Sequence, residues 1–378
     1  MSKYQAVVSV LMFVFFWKNS VDGQVNFVAQ TIDADVDIGY GLAIGDVDGD
    51  GDPDIMLADK QQFIWYRNPD WKPFVFAQNL TERDNVCLAA RDIDGDGLVE
   101  IAVGGQWNPG ETMDAEASGS VHFLQRPKDP TQEWKPIKLH HEPTVHRMRW
   151  IKTEDTFQLV VLPLHGRGNR GGSGAGVRVY AYQVPAQYSD SWQLQLVDSS
   201  MHVTHNLDVF EVKGEEVLVI GGKEGAKFFR WNNGTWIEMK DEQITDMGFG
   251  EIRKGKDFLA GVQPFHGETL AVYPSTKQRI VLTSTLKQGH ALACADLLSL
   301  GFDQVVVGWR NENEDGDVGI KVHIPETSAY DQWKDYWIDQ NGMACEDLKV
   351  VDLDGDDRLD IIAAGRSSHN LKIYWNKN

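Results

Sequence analysis

The sequence predicts an all-β fold, a single closed ring of seven four-stranded antiparallel blades, the seven-bladed β-propeller. Three observations lead there. An acidic loop followed by a short apolar strand occurs three times. The flanking pattern of those units recurs four more times without the acids. Seven aromatic-led outer segments separate the units. Self-similarity at a period of about 40–50 residues marks a propeller or another repeat architecture.

The acidic loops come first because they fix the alignment. They are Asp46-Val47-Asp48-Gly49-Asp50-Gly51-Asp52-Pro53-Asp54, Asp92-Ile93-Asp94-Gly95-Asp96-Gly97-Leu98-Val99-Glu100 and Asp352-Leu353-Asp354-Gly355-Asp356-Asp357-Arg358-Leu359-Asp360. Each runs into an apolar strand, Ile55 to Ala58, Ile101 to Gly104 and Ile361 to Ala364. The degenerate units are His146 to Leu164, His205 to Gly222, Gly248 to Phe265 and His290 to Trp309. With Asp46 as anchor, the equivalents are Asp92, Lys152, Glu211, Lys254, Asp296 and Asp352, spaced 42 to 60 residues apart. That spacing suits four strands and variable loops. The chain stops after a third strand, Leu371 to Trp375, while an unmatched outer strand, Phe27 to Ile32, stands near its start. Pairing the two closes the ring and removes its free edges.

Composition narrows the function. The 378 residues carry 36 Lys and Arg against 56 Asp and Glu, a net charge of −20. Nucleic-acid binding needs clustered cations, so that partner class is excluded. Lys3 followed by the apolar run Ala6 to Trp17 reads as a signal peptide over residues 1–23. The run is shorter than the ~20 residues of a membrane span. The expectation is a secreted protein, extracellular or periplasmic, with residues 24–378 as one propeller domain and no membrane span after cleavage. Three cysteines, Cys87, Cys294 and Cys345, give no disulfide framework and read as small core residues.

The acidic loops resemble FG-GAP/VCBS repeats, the calcium-binding propeller repeats also found in integrin heads. Alternating carboxylates on a tight turn supply the hard oxygen ligands that Ca²⁺ takes. The expected ligands are Asp46, Asp48, Asp50 and Asp54 with the Asp52 carbonyl. In the second loop they are Asp92, Asp94, Asp96 and Glu100 with the Leu98 carbonyl. In the third they are Asp352, Asp354, Asp356 and Asp360 with the Arg358 carbonyl. The calcium ions are expected to be structural.

The same resemblance implies that the innermost strands begin, and the second strands end, on one face beside the central channel. Six positions before each anchor stand Tyr40, Val86, His146, His205, Gly248, His290 and Glu346. The second strands end near Trp107, His165, Arg167, His266, Trp309, Arg310 and Arg366. Five of the chain's 11 histidines are therefore expected on one face. Three imidazoles with a carboxylate suit a Zn²⁺ or Mn²⁺ ion with an open position. The same groups also suit a metal-free acid–base site. The Gly-rich segment from Leu164 to Val177 resembles part of the propellers related to aldos-2-ulose dehydratase, which eliminate water from keto-sugars. That resemblance implies a lyase, and the residues aligned on the channel face then offer His146, His205 and His290 as base or metal ligands with Glu346 in support. His165 or Tyr40 would be the acid, and Arg167, Arg310, His266, Trp107 and Trp309 would hold the sugar. The rival expectation is a non-catalytic module that binds an extracellular protein or glycan through its loops.

Overall fold

The computed structural model describes residues 25–154, 156–275 and 278–378. The expected signal segment lies outside the described residues. Among the described residues, seven antiparallel sheets of four strands each account for all 28 strands, and the one helical element is a short 3₁₀ turn, Lys240–Glu242.

Each blade is built from the channel outward in chain order. The innermost strands are Gly41–Gly45, Cys87–Arg91, Val145–Thr153, Thr204–Val212, Ile252–Lys254, Gly289–Ala295 and Cys345–Val351, for blades 1 to 7. Blade 7 has the expected seam. Its strand order places Phe27–Asp33 outside Asn370–Asn376, with Phe27 opposite Asn376 and Ala29 opposite Tyr374.

The second strands explain why the blades stack. Asp54–Ala58 and Asp360–Gly365 are buried at every position, because a neighbouring blade covers each face. Continuous rather than alternating apolar sequence is what such strands require. Burying an Ile or Leu there contributes about 1.5–3 kcal/mol. The outermost strands have one blade face toward water, and Phe27–Asp33 is accordingly half exposed. The cysteines are packing residues. A Cβ on Gly308 would meet Cys345 Sγ at 2.6 Å, and one on Gly104 would meet Cys87 Sγ at 2.7 Å. Each sulfur fills the space that a glycine leaves. Among the described residues no helix is long and apolar enough to cross a membrane.

Candidate active site at the channel mouth

Four of the seven innermost strands carry an irregularity at one shared position. In blade 3 the register jumps from Val145–Pro163 to Arg147–Leu162, leaving His146 unpaired. In blade 4 it jumps from Thr204–Gly222 to Asn206–Gly221, leaving His205 unpaired. Blade 6 does the same around His290, and blade 7 around Glu346. An extra residue in one strand breaks the two-residue alternation and re-aims a side chain. All four bulged residues are polar, and all are buried.

Their side chains meet. The His146 and His205 ring centroids are 4.7 Å apart, those of His205 and His266 4.3 Å, and those of His266 and His290 4.8 Å. Ring nitrogens of His205, His266 and His290 lie within 4.8 Å of one another. The hydrogen bonds fix which nitrogens are free. His205 Nδ1 donates to the Gly250 carbonyl at 3.0 Å, and His290 Nδ1 donates to the Glu346 carbonyl at 2.7 Å. His290 thus keeps Nε2 for a ligand, the arrangement common to metal-binding histidines, while His205 Nε2 faces the His266 ring. His266 differs. Its Nδ1 accepts from Arg310 Nη2 at 3.3 Å, which leaves a proton on Nε2, and that nitrogen contacts His205 Nε2. His266 is therefore set up as a proton donor, and it becomes a metal ligand only if Arg310 moves off Nδ1.

His146 has neither ring nitrogen hydrogen-bonded, although it is only 5% exposed. Trp107 stacks on it at 4.9 Å and 23°. A buried polar ring without a partner costs free energy, and such groups mark ligand sites. Burial holds all four imidazoles neutral. His146 is depressed well below the usual range by burial and then Arg147, and His290 by burial and then Arg310. His266 falls to about 2 through burial, the His205 ring and Arg310. For His205 burial also wins, although Glu251 pulls the other way.

Glu346 anchors the opposite side. It accepts from Arg310 Nη1 at 3.2 Å and from Arg366 Nη1 at 3.2 Å. Arg310 also donates to Gln288 Oε1 at 2.5 Å. Thus Arg310 joins Glu346 and Gln288 to His266.

Other expected site residues have different places. Trp309 is 2% exposed, donates from Nε1 to the Asp317 carbonyl and packs on Trp337. It belongs to the blade 6 core and offers no face to a sugar. Its strand buries every residue, so an aromatic there is packing. Arg167 is engaged by Glu142 at 2.7 Å and the Met113 carbonyl at 2.9 Å, and so fastens the Gly-rich loop. His165 makes an isolated bridge with Val203, and no ring contact joins it to the cluster. Tyr40 donates to Asp84 at 3.0 Å, and burial pushes its hydroxyl above the usual range.

Blade 5 needs a correction. Gly248 stands two residues away from the expected position, which belongs to Gly250. Leu207 pairs with Ile220 in blade 4 as Ile252 pairs with Gly261 in blade 5, and Gly250 N donates to the Val262 carbonyl. The first hairpin of blade 5 is tight, closed by Gly255 N to the Phe258 carbonyl, so the anchor is Lys256 rather than Lys254.

The three acidic loops sit between first and second strands, away from the histidines. Asp46, Asp48 and Asp50 gather their carboxylates within 4.8 Å, as do Asp92, Asp94 and Asp96, and Asp352, Asp354 and Asp356. The ninth-position acids face inward. Asp54 accepts from Val47 N at 2.8 Å and Asn68 N at 2.9 Å, and Asp360 accepts from Leu353 N and Asn376 N. Glu100 accepts from Ile93 N at 3.1 Å. Burial pushes both Asp54 and Glu100 up to about 7. Gly51 and Gly97 have φ near +90°, and Asp357, at φ 63°, takes the same left-handed position in the third loop. Asp52, Leu98 and Arg358 occupy the carbonyl positions of these loops.

Comparison with known proteins agrees with this architecture. Residues 46–103 match the FG-GAP-like repeat, and residues 118–277 match the β-propeller domain of aldos-2-ulose dehydratase. The aldos-2-ulose dehydratase of Phanerodontia chrysosporium is 22% identical over 211 residues, which is 50% of this chain and 23% of that enzyme. The match thus spans about a quarter of its relative. Among solved structures, BBS1N in complex with ARL6DN is 12% identical with a TM-score of 0.58, covering 94% of this chain and 98% of that one. A chain of the mitotic checkpoint complex is 12% identical with a TM-score of 0.62, covering 98% of each. These two likenesses are of fold alone.

Proposed function

We propose that this chain is a secreted, calcium-stabilised propeller with carbon–oxygen lyase activity, eliminating water from a keto-sugar or related small saccharide at the histidine cluster. The observation that carries the reading is His146, a buried imidazole with two unpartnered nitrogens beside three further neutral imidazoles and a clamped carboxylate. The segment similar to the dehydratase propeller contains His146, His205 and His266, while His290, Arg310 and Glu346 lie beyond it.

Elimination next to a carbonyl needs a base for the α proton, a donor for the departing hydroxyl, and stabilisation of the enolate. His146 is the base, because it is neutral and its nitrogens are uncommitted. His266 Nε2–H hydrogen-bonds the departing hydroxyl, and the proton that leaves with it as water is the one His146 has taken from the α carbon. Arg310, held by Glu346 and Gln288, receives the carbonyl oxygen. Trp107 and Arg366, both half-buried, border the approach. His290 and His205 would hold a Zn²⁺ or Mn²⁺ ion through their Nε2 atoms once His205 is released from its contact with His266 Nε2, with His266 joining if Arg310 turns away. Such an ion supplies Lewis-acid stabilisation of a developing oxyanion.

The test is a keto-sugar screen followed by enone absorbance, with metal analysis of the same preparation. His146→Ala, His205→Ala and His290→Ala should each lower turnover at least about 100-fold while the melting curve stays cooperative. Turnover that survives all three changes, or no turnover on any keto-sugar with metal supplied, would instead favour a module that binds an extracellular protein or glycan.

A further inference from the structure

The bulges have a second effect, one layer deeper in the channel. A regular strand would send the residue after His146 to the opposite side. Here Arg147 follows His146, Asn206 follows His205 and Asp347 follows Glu346, and all three line a small internal cavity with Arg149 and Arg253. The cavity has room for about 10 Å³ of water-sized occupancy, roughly one sphere. The rest of its wall is apolar side chain and glycine backbone.

The charges do not balance inside it. Arg147 donates only to the Val86 and His146 carbonyls, at 3.1 and 3.3 Å. Arg149 donates only to the Met148 carbonyl at 2.9 Å. Neither is within ion-pair distance of a carboxylate among the described residues. Arg253 has Glu251 at 3.4 Å. The one carboxylate in the wall, Asp347, is already engaged. Its Oδ2 accepts from Leu42 N and Lys349 Nζ, each at 2.8 Å, and its Oδ1 accepts from Leu348 N at 2.9 Å. Three guanidinium groups thus face one cavity, two of them unpaired, and each has five N–H donors of which few are used. Arg147 and Arg253 are buried and Arg149 is half-buried, and cations of one sign gathered at one cavity repel.

We propose that this cavity binds one monoatomic inorganic anion of the halide class, with chloride the physiological member. A single anion satisfies the spare N–H donors and offsets the repulsion, whereas a neutral water does only the first. The cavity is too small for sulfate, phosphate or a carboxylate. The site is independent of the catalytic reading, since no atom of the histidine rings takes part.

The experiment uses the full mature chain at fixed ionic strength and saturating calcium, melted in sodium chloride or bromide against sodium gluconate. The expected result is a halide-dependent rise in Tm of about 2–4 °C, saturating with concentration. Arg149→Met should abolish the dependence whatever it does to the baseline stability. Crystals of the unaltered protein grown in bromide should show an anomalous peak between Arg147, Arg149 and Arg253. Equal melting in halide and gluconate, or bromide found only at the surface, would overturn the proposal.

Discussion

The loop from Asp46 to Asp54 in blade 1 and the loop from Asp296 to Gln304 in blade 6 make the same turn with different chemistry. In the first, the Asp46 carboxylate accepts from Gly49 N at 2.6 Å and Gly51 N at 2.9 Å. In the second, Asp296 accepts from Leu300 N at 2.8 Å and Gly301 N at 2.7 Å. The loops part company at positions three and five. Asp48 and Asp50 stand in blade 1 where Leu298 and Leu300 stand in blade 6. At position nine, Gln304 replaces Asp54. Its Oε1 accepts from Leu298 N, while its Nε2 donates to the Phe302 carbonyl at 2.6 Å. Blade 6 closes its loop with an amide that needs nothing added. Blade 1 gathers like charges that repel one another until a cation arrives. The third acidic loop is intermediate, because Arg358 contacts Asp356 and Lys377 Nζ lies 3.6 Å from Asp354.

The strongest way to break this contrast is to remove calcium. Excess chelator should lower Tm by on the order of 10 °C, since the three proposed sites would bind only the folded chain and add their effects. An unchanged Tm, with metal loss verified by elemental analysis, would mean that the acids are solvated surface.

The pH dependence in chelator should come next in size. Asp54 and Glu100 are raised by burial to about 7, above their values in the unfolded chain. Between about pH 4 and 7 the folded state then binds more protons than the unfolded, so stability falls as pH rises. Excess calcium should flatten or reverse that fall, because it favours the ionised loop. A denaturant series across the window reads the slope, and a rising slope in chelator would contradict the burial argument.

Single substitutions sharpen the ranking. Asp48→Ala should remove one bound calcium per chain and lower Tm by a few degrees. Asp354→Ala should lower it less, because Arg358 and Lys377 already offset part of the charge in that loop. Calcium titration by calorimetry distinguishes the two, and equal losses would remove the role given to those cations. Smallest of all should be the calcium dependence of Gln304→Ala. The lost amide bonds should cost about 1–2 kcal/mol, with the same value in calcium and in chelator.

The repeat made most of the ring legible in advance. Acidic loops anchor blades 1, 2 and 7, and Asp296 anchors blade 6, so spacing gives the register of Tyr40, His290 and Glu346, and the propeller resemblance gives the face they share. Blade 5 slipped by two residues because its tight hairpin around Gly255 left no acidic marker. Trp309 was misread because a strand covered on both faces shows no alternation to separate a core aromatic from a ligand-facing one. The second channel layer, Arg147, Asn206, Glu251 and Asp347, was invisible for a related reason. A bulge puts consecutive residues on one side, and nothing in the local sequence announces it. Asp84 and Gln288, which hold Tyr40 and Arg310, lie in loops whose paths no periodicity describes.

The seam in blade 7 also sets a schedule. Asn26 and Asn378, whose groups bond across it, are 352 positions apart. At a ribosomal rate of about 5–20 residues per second, the segment Phe27–Asp33 waits roughly 20–70 s for the strand that will hold it. Throughout that interval six blades can stack while the first-made strand stays unclasped. Neighbouring chains on one message present the identical docking edge, and a strand traded between them keeps every main-chain bond of the closed ring. The clasp that makes one chain a circle is thus also the joint at which two nascent chains can be linked.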